Sequence, residues 1–277
     1  MNTLKENIPI SESDAAKARL LSVRGDPFLF ADWENVLFLH FAIAPELLRP
    51  LIRPPLELDL YEGQAHLSVV AVTMRRFQPA RLLPFAWPLR LISRQQFLNV
   101  RTYVHHRDEP GALFLWGWLS KLFPPTLPTF GLPCAFAAID YHHDLESGQL
   151  RGKVQAGTDR LSYHATMAPQ STFEPCSPRS LSEFTMERYT GFFYHGRRTK
   201  IFRAWHPPWL ETDVDVSLNE ISLIANKFPW FKEAKLVGGN FAPGFKRVSL
   251  GRVRSLKTSA CQSRKRGHGP SAFYEMP

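Results

Sequence analysis

The chain has 277 residues, of which 44% are hydrophobic and 21% charged, and its formal net charge is +9. These values are close to globular averages and exclude a chain that is disordered throughout. No run reaches the roughly 18 apolar residues of a transmembrane helix, so we expect no membrane span. The first 25 residues mix acidic and basic side chains without an apolar stretch, so no secretory signal is expected.

The positive charge is concentrated towards the C-terminus. Residues 251–277 contain six cations and one acid and carry +5, whereas residues 1–250 carry +4. Such a tail binds nucleic acid or an anionic surface electrostatically, although terminal charge blocks are also typical of solvated, disordered ends. No nucleic-acid-binding motif occurs elsewhere in the sequence, so we expect no nucleic-acid partner.

The three cysteines, Cys134, Cys176 and Cys261, are odd in number and widely spaced. They form neither a disulfide framework nor a metal-ligand spacing. We therefore expect a reducing, cytoplasmic location, and we expect no metal and no organic cofactor.

In chain order, residues 1–26 are predicted to be an N-terminal extension. Ser13 or Asp14 fits the N-cap of a short helix that runs to Leu21, and Asp26 before Pro27 ends it.

Residues 27–250 are predicted to form one domain made mostly of strands. Strands are predicted at 36–43, 56–61, 65–74, 97–104, 112–115, 134–142, 149–154, 161–167, 189–194 and 199–205, and short helices at 45–51, 180–188 and 217–227. The proline-rich segment 77–92 is predicted to be a loop. Because strands do not alternate with long helices, the pattern favours one antiparallel, barrel-like α+β domain, followed by the disordered basic tail 251–277.

A polar stripe on one predicted strand is the candidate binding site. Asn99, Arg101 and Tyr103 share one face of the strand 97–104, and His40 lies on the apolar strand 36–43. A guanidinium inside a barrel requires an anion, so Arg101 predicts a carboxylate or phosphate site. The alternatives are that the stripe faces solvent and that His40 is a hydrogen-bonded core residue.

Four segments give the chain a resemblance to a bacterial family known as domain of unknown function 2071. They are Phe38 to Phe41, Asn99 to Val104, Phe130 to Pro133 and His206 to Trp209, within a similarity that covers roughly residues 30–250. That family looks like a relative of acetoacetate decarboxylase in fold. The resemblance implies an acetoacetate decarboxylase-like, cone-shaped antiparallel β-barrel with an internal pocket and a few short helices.

The resemblance implies the fold but not the reaction. The decarboxylase uses a lysine Schiff base just after a Gly-Phe-Pro-like turn, whereas here Gly131 to Pro133 is followed by Cys134 and Ala135. Phe97 stands where that superfamily often has an acidic residue. The Schiff-base lysine is thus absent from its expected place, and the sequence leaves open whether the protein is an enzyme.

Three functions stay open from the sequence. The favoured one is a small-molecule-binding β-barrel in which Arg101 holds an anionic, carboxylate-like group and Asn99, Tyr103 and His40 line the pocket. The second is a non-catalytic interaction protein that uses its basic tail. The third is a decarboxylase-like enzyme that recruits another lysine, such as Lys121 or Lys153. Oligomeric state does not follow from the sequence.

Overall fold

A computed structural model describes residues 11–80, 94–120 and 131–256. The helices in these ranges are α1 (Glu12–Leu21), α2 (Pro45–Leu48), α3 (Leu181–Met186) and α4 (Ser222–Ala225), with short 3-10 helices at Arg49–Leu51 and Pro229–Glu233. The strands are β1 (Leu29–Ile43), β2 (Glu57–Leu58), β3 (Leu60–Tyr61), β4 (Gln64–Pro79), β5 (Arg94–His106), β6 (Glu109–Leu119), β7 (Cys134–Phe136), β8 (Ala138–Asp144), β9 (Gln149–Ala156), β10 (Asp159–Met167), β11 (Glu174–Pro175), β12 (Thr190–His195), β13 (Arg198–Trp205), β14 (Leu210–Glu220), β15 (Lys235–Leu250) and β16 (Arg254–Ser255). Most of the segment predicted to be a loop, and the tail from residue 257, lie outside the described residues.

Most of the strands are hydrogen-bonded neighbours in one continuous sheet. It runs β16-β13-β12-β6-β5-β4-β1-β15-β14-β10-β9-β8. The pairings are antiparallel except for β6 with β12 and β6 with β7, which are parallel. The prediction of a mostly antiparallel fold with a few short helices is therefore confirmed.

The predicted cone-shaped barrel needs a correction, because the sheet does not close into a clear barrel. The contact that brings β13 to β15 consists of two residue pairs, Ala204 with Leu250 and Trp205 with Ser249. The chain after β13 continues through Pro207 and Pro208. Proline has no backbone N–H, so the ladder between β13 and β15 does not extend further in this direction.

The two faces of β1 have different partners. Leu37, Leu39 and Phe41 point to a large core that is covered by β8, β9, β10, β14 and α4. Val36 and Phe38 point to the opposite face, called here the inner face, together with residues of β4 and β5. This alternation follows the two-residue period of a strand, and burying each such side chain stabilises the fold by roughly 1.5–3 kcal/mol.

Helix α1 begins earlier than predicted. Ser11 is the N-cap, since its Oγ accepts the backbone N–H of Asp14 at 3.1 Å. Ser13 instead lies on the buried side of the helix, where its Oγ donates to the His206 carbonyl at 3.1 Å. The prediction of Ser13 or Asp14 as the cap is wrong because the packing of α1 against the strands selects which serine is buried.

The predicted helix over 217–227 is also wrong in its first half. Strand β14 continues to Glu220, and α4 spans only Ser222–Ala225. Val216 and Leu218 pair with β10 in antiparallel register. Sheet pairing therefore overrides the local helical pattern in this segment.

Candidate functional site

An apolar cavity of about 150 Å³ lies on the inner face of the sheet. Its wall consists of residues from neighbouring strands, supplemented by residues from α3 and from the segments next to β7, α3 and β13. The strand residues include Val36, Phe38, Val70, Val72, Phe97, Asn99, Arg101, Phe114, Cys134 and Phe202, and the others include Leu132, Met186, Arg188, Tyr189 and Trp209. Trp33 lines the cavity as well.

Asn99 and Arg101 lie on one face of β5 and both line this cavity. Asn99 is 3% exposed; its Nδ2 donates to the Val70 carbonyl at 3.3 Å, while its buried Oδ1 has no hydrogen-bond partner. Arg101 Nη2 donates to the Thr185 carbonyl at 3.1 Å, and its buried Nε has no partner. The guanidinium carbon lies 5.1 Å from the centre of the Phe38 ring. Asn99 is therefore not on a solvent-exposed face.

Arg188 lines the cavity beside these residues, but its charge is compensated. Its Nη1 donates to Asp59 Oδ2 at 2.7 Å, and its Nε donates to the Phe184 carbonyl. Burial lowers the pKa of Arg188, whereas the charge and the hydrogen bond of Asp59 act to raise it. Within the described ranges Arg101 has no such ion pair, so only one of the two arginines in the wall is neutralised.

Tyr103 follows Arg101 on the same face of β5 and is fully buried, although it is not among the residues that line the cavity. Its hydroxyl lies 2.5 Å from Ser68 Oγ. Its ring lies 5.4 Å from the guanidinium carbon of Arg188 and 5.2 Å from the ring of Phe184. Tyr103 thus packs behind the arginines rather than facing the cavity.

His40 also lies outside the cavity wall, in a buried hydrogen-bonded position. Its Nδ1 is 2.8 Å from Ser68 Oγ, and its Nε2 is 3.0 Å from Asn240 Oδ1. Burial and the positive charge of Arg101 lower the pKa of His40 to about 3. The geometry therefore matches the alternative reading of His40 as a satisfied, neutral core residue.

The hydrogen bonds of Asn240 determine which group donates in each hydrogen bond that links Asn240, His40, Ser68 and Tyr103. Asn240 Nδ2 donates to Glu211 Oε2 at 2.7 Å and to Asp213 Oδ1 at 2.9 Å. Its Oδ1 is then the atom that faces His40, so Nε2 of His40 carries the proton and Nδ1 accepts from Ser68. Ser68 in turn accepts from the hydroxyl of Tyr103. The proton of that hydroxyl is therefore not available to a ligand.

An aromatic cluster contributes Trp33, Tyr189 and Trp209 to the cavity wall. The buried ring of His206 is stacked on Phe245 at 4.7 Å and lies 4.8 Å from both Tyr189 and Trp209. Trp33 is stacked on Trp209 at 6.3 Å. Burial lowers the pKa of His206 to about 4. No pattern in the sequence indicated that Trp33 and Trp209 share a cavity wall.

Glu187 is half-buried and contacts this cluster. Its Oε1 accepts the backbone N–H of Trp209 at 2.8 Å, and its Oε2 accepts from the Tyr189 hydroxyl. Burial raises the pKa of Glu187. Helix α3 ends at Met186, so Glu187 leaves the helix and turns inwards.

Comparison with known proteins gives the family. The model of domain of unknown function 2071 (DUF2071), described as an uncharacterized conserved protein, matches residues 31–237. The chain belongs to this family. The DUF2071 chain is 28% identical over 199 residues to the uncharacterized protein YqjF of Bacillus subtilis (strain 168), a match that covers 69% of the chain and 78% of YqjF. The resemblance stated from the sequence is confirmed.

Solved structures similar to the DUF2071 chain are acetoacetate decarboxylase-like. An acetoacetate decarboxylase-like enzyme from Sphingomonas wittichii RW1 has a TM-score of 0.58 at 12% identity, covering 84% of this chain and 94% of that one. The enduracididine biosynthesis enzyme MppR has a TM-score of 0.59 at 14% identity, covering 82% and 87%. At these identities the likeness shows the fold and not the activity.

Two of the residues that differ from the pattern implied by the resemblance line the cavity. They are Cys134, at the start of β7, and Phe97 on β5. Within the described residues no lysine lines the cavity. Lys153 is exposed on β9, and Lys121 lies outside the described residues.

Part of the basic tail can be placed. Arg254 Nη2 is 3.2 Å from Asp26 Oδ2, and the backbone N–H of Arg252 donates to Asp26 Oδ1 at 3.0 Å. These first two tail cations are thus held beside the chain segment that precedes β1. Residues 257–277 lie outside the described residues.

Across residues 11–80, 94–120 and 131–256, the His, Cys, Asp and Glu side chains form no group of three or more that could hold a metal ion. In the same ranges, every helix is too short or too polar to cross a membrane.

Proposed function

We propose that this protein binds a small organic carboxylate in the inner-face cavity, with the guanidinium of Arg101 holding the carboxylate. The observation that carries the proposal is the state of Arg101, which lines an apolar cavity while its buried Nε has no hydrogen-bond partner. The ligand supplies the anion that the described protein side chains do not.

Electrostatics supports the binding of an anion beside Arg101. A guanidinium in apolar surroundings is destabilising unless it is paired, and Asp59 already pairs with Arg188 at 2.7 Å. A carboxylate beside Arg101 would accept two parallel N–H bonds from the planar guanidinium, a geometry that lysine does not offer. The bound anion thus offsets the desolvation of Arg101.

The rest of the wall supports an apolar ligand body. Phe38, Val72 and Phe114 are among the side chains that line the space next to Arg101. The cavity volume of about 150 Å³ is close to that of an engineered protein cavity that binds benzene. A ligand of roughly one ring plus a carboxylate therefore fits, and the structural neighbour MppR has been solved complexed with pyruvate, itself a small carboxylate.

The other two functions receive less support. The interaction function rests on a tail that is mostly outside the described residues, and its first two cations contact Asp26. The decarboxylase function needs a lysine at the cavity, where Cys134 lies instead. A cytoplasmic location belongs to the proposal and rests on the sparse, widely spaced cysteines.

The test is thermal unfolding with benzoate, hexanoate and phenylpropanoate, each beside its uncharged amide. A carboxylate at about 100 times its Kd adds about 2.7 kcal/mol, which raises Tm by about 5–10 °C for a domain of this size. The shift is expected to vanish in Arg101→Met and to persist in the exposed control Arg151→Met on β9. Equal shifts with the amides, or a full shift in Arg101→Met, would refute the assignment.

A further inference from the structure

Buried polar atoms without a hydrogen-bond partner are concentrated around the cavity. In the part of the chain that the structure describes, six buried side-chain nitrogen or oxygen atoms make no hydrogen bond, and one of them, Arg75 Nε, is in an ion pair with Glu34. Three of the six belong to residues that line the cavity: Trp33 Nε1, Asn99 Oδ1 and Arg101 Nε. A buried donor or acceptor without a partner is destabilising, so this clustering marks places where a ligand supplies the partner.

The three atoms differ in the partner they need. Arg101 Nε and Trp33 Nε1 are donors, whereas Asn99 Oδ1 is an acceptor. A carboxylate alone satisfies only Arg101. The acceptor on Asn99 requires a ligand O–H or N–H, and the indole N–H requires a ligand oxygen.

Their positions define the order of these groups along a ligand. Asn99 and Arg101 are two residues apart on one face of β5, so the acceptor lies next to the carboxylate site. Trp33 is connected to Arg101 through two intervening aromatic rings, those of Phe38 and Trp209. The centre of the Phe38 ring is 5.1 Å from the guanidinium carbon of Arg101. The ring centres of Phe38 and Trp209 are 5.3 Å apart, and those of Trp209 and Trp33 are 6.3 Å apart.

We infer that the ligand is a hydroxycarboxylic acid with a flat apolar body and an oxygen at its far end. This inference rests on the proposed function, because Arg101 holds the carboxylate. The hydroxyl beside the carboxylate donates to Asn99 Oδ1, and the remote oxygen accepts from Trp33 Nε1. The body lies against Phe38 and Trp209.

Four probes separate the contributions of the two oxygen groups. They are phenylpropanoate, phenyllactate, para-hydroxyphenylpropanoate and para-hydroxyphenyllactate, and their Kd values are measured by calorimetry on the full chain. For the wild type, each added hydroxyl is expected to tighten binding by about three- to tenfold. Asn99→Leu is expected to remove the gain from the hydroxyl beside the carboxylate only, and Trp33→Phe the gain from the remote hydroxyl only.

Folding of each variant is checked by its thermal unfolding, and the gain from each hydroxyl is the ratio of that variant's own Kd values for phenylpropanoate and for the hydroxylated probe. If phenylpropanoate binds through Arg101 but neither hydroxyl improves its Kd, the inference is overturned and the proposed function stands. The inference is also overturned if both variants lose both gains equally. If none of the four probes binds, the proposed function and this inference fail together.

Discussion

The buried position of His40 makes the stability of the fold depend on pH. In the folded chain the pKa of His40 is about 3, compared with an ordinary value of 6.5. The folded state therefore binds fewer protons than the unfolded state between these values. The contribution of neutral His40 to stability is complete above pH 6.5 and is lost as the pH falls from 6.5 towards about 3.

The magnitude follows from the width of this window. Each pH unit below 6.5 removes about 1.4 kcal/mol, so a fall to about pH 5 removes roughly 2 kcal/mol. His40→Gln supplies an amide oxygen that can accept from Ser68 and an amide N–H that can donate to Asn240. The variant has no titrating group at this position and is expected to lack this component of acid sensitivity.

The assay is urea unfolding at about pH 7.5 and pH 5, followed by tryptophan fluorescence. The loss of stability between the two values is expected to be roughly 2 kcal/mol smaller in His40→Gln than in the wild type. His142→Gln is the matched control, since the side chain of His142 is 76% exposed. An acid sensitivity that is the same in His40→Gln and the wild type would refute the claim that the fold keeps His40 neutral.

Three further changes test the framework around the cavity. In Gly117→Ala the new methyl group collides with the Phe97 ring. Calorimetry is expected to show a loss of about 1–3 kcal/mol in unfolding free energy and weaker carboxylate binding. Glu109→Gln weakens the bidentate pair with Arg203, in which both bonds are 2.8 Å. The free energy of unfolding in urea is expected to fall by about 1–3 kcal/mol at neutral pH and by less in acid. Ser180→Ala removes the N-cap of α3 and is expected to lower unfolding free energy by about 1 kcal/mol, while a Ser147→Ala control in an exposed turn leaves it within about 0.5 kcal/mol.

The part of the site that the sequence predicted lies on a single strand. The two-residue period places Asn99 and Arg101 on one face of β5, and both line the cavity. The same rule also put Tyr103 on that face, but its side chain packs behind the arginines and bonds Ser68 instead. A local period gives the face of a strand but does not give the depth at which each side chain ends.

The rest of the site depends on contacts between residues that are distant in the chain. Arg188 and Asp59 are 129 residues apart, and His40 and Asn240 are 200 apart. No local pattern specifies such pairs, because they are fixed by which strands become neighbours in the sheet. The sequence therefore placed His40 in the pocket, whereas the position of β15 beside β1 gives it a core role.

The distribution of unsatisfied atoms bears on the proposed organic-acid site. Each buried donor or acceptor without a partner destabilises the unliganded fold by about 1–3 kcal/mol, against a total stability of about 5–15 kcal/mol for a typical domain. Apolar side chains at Trp33, Asn99 and Arg101 would fill the same wall without this loss. Phe97 and Cys134 line the same cavity with an apolar and a weakly polar side chain. The wall therefore combines an apolar surface with three groups that only a polar ligand satisfies, which is the composition that the proposed organic-acid site requires.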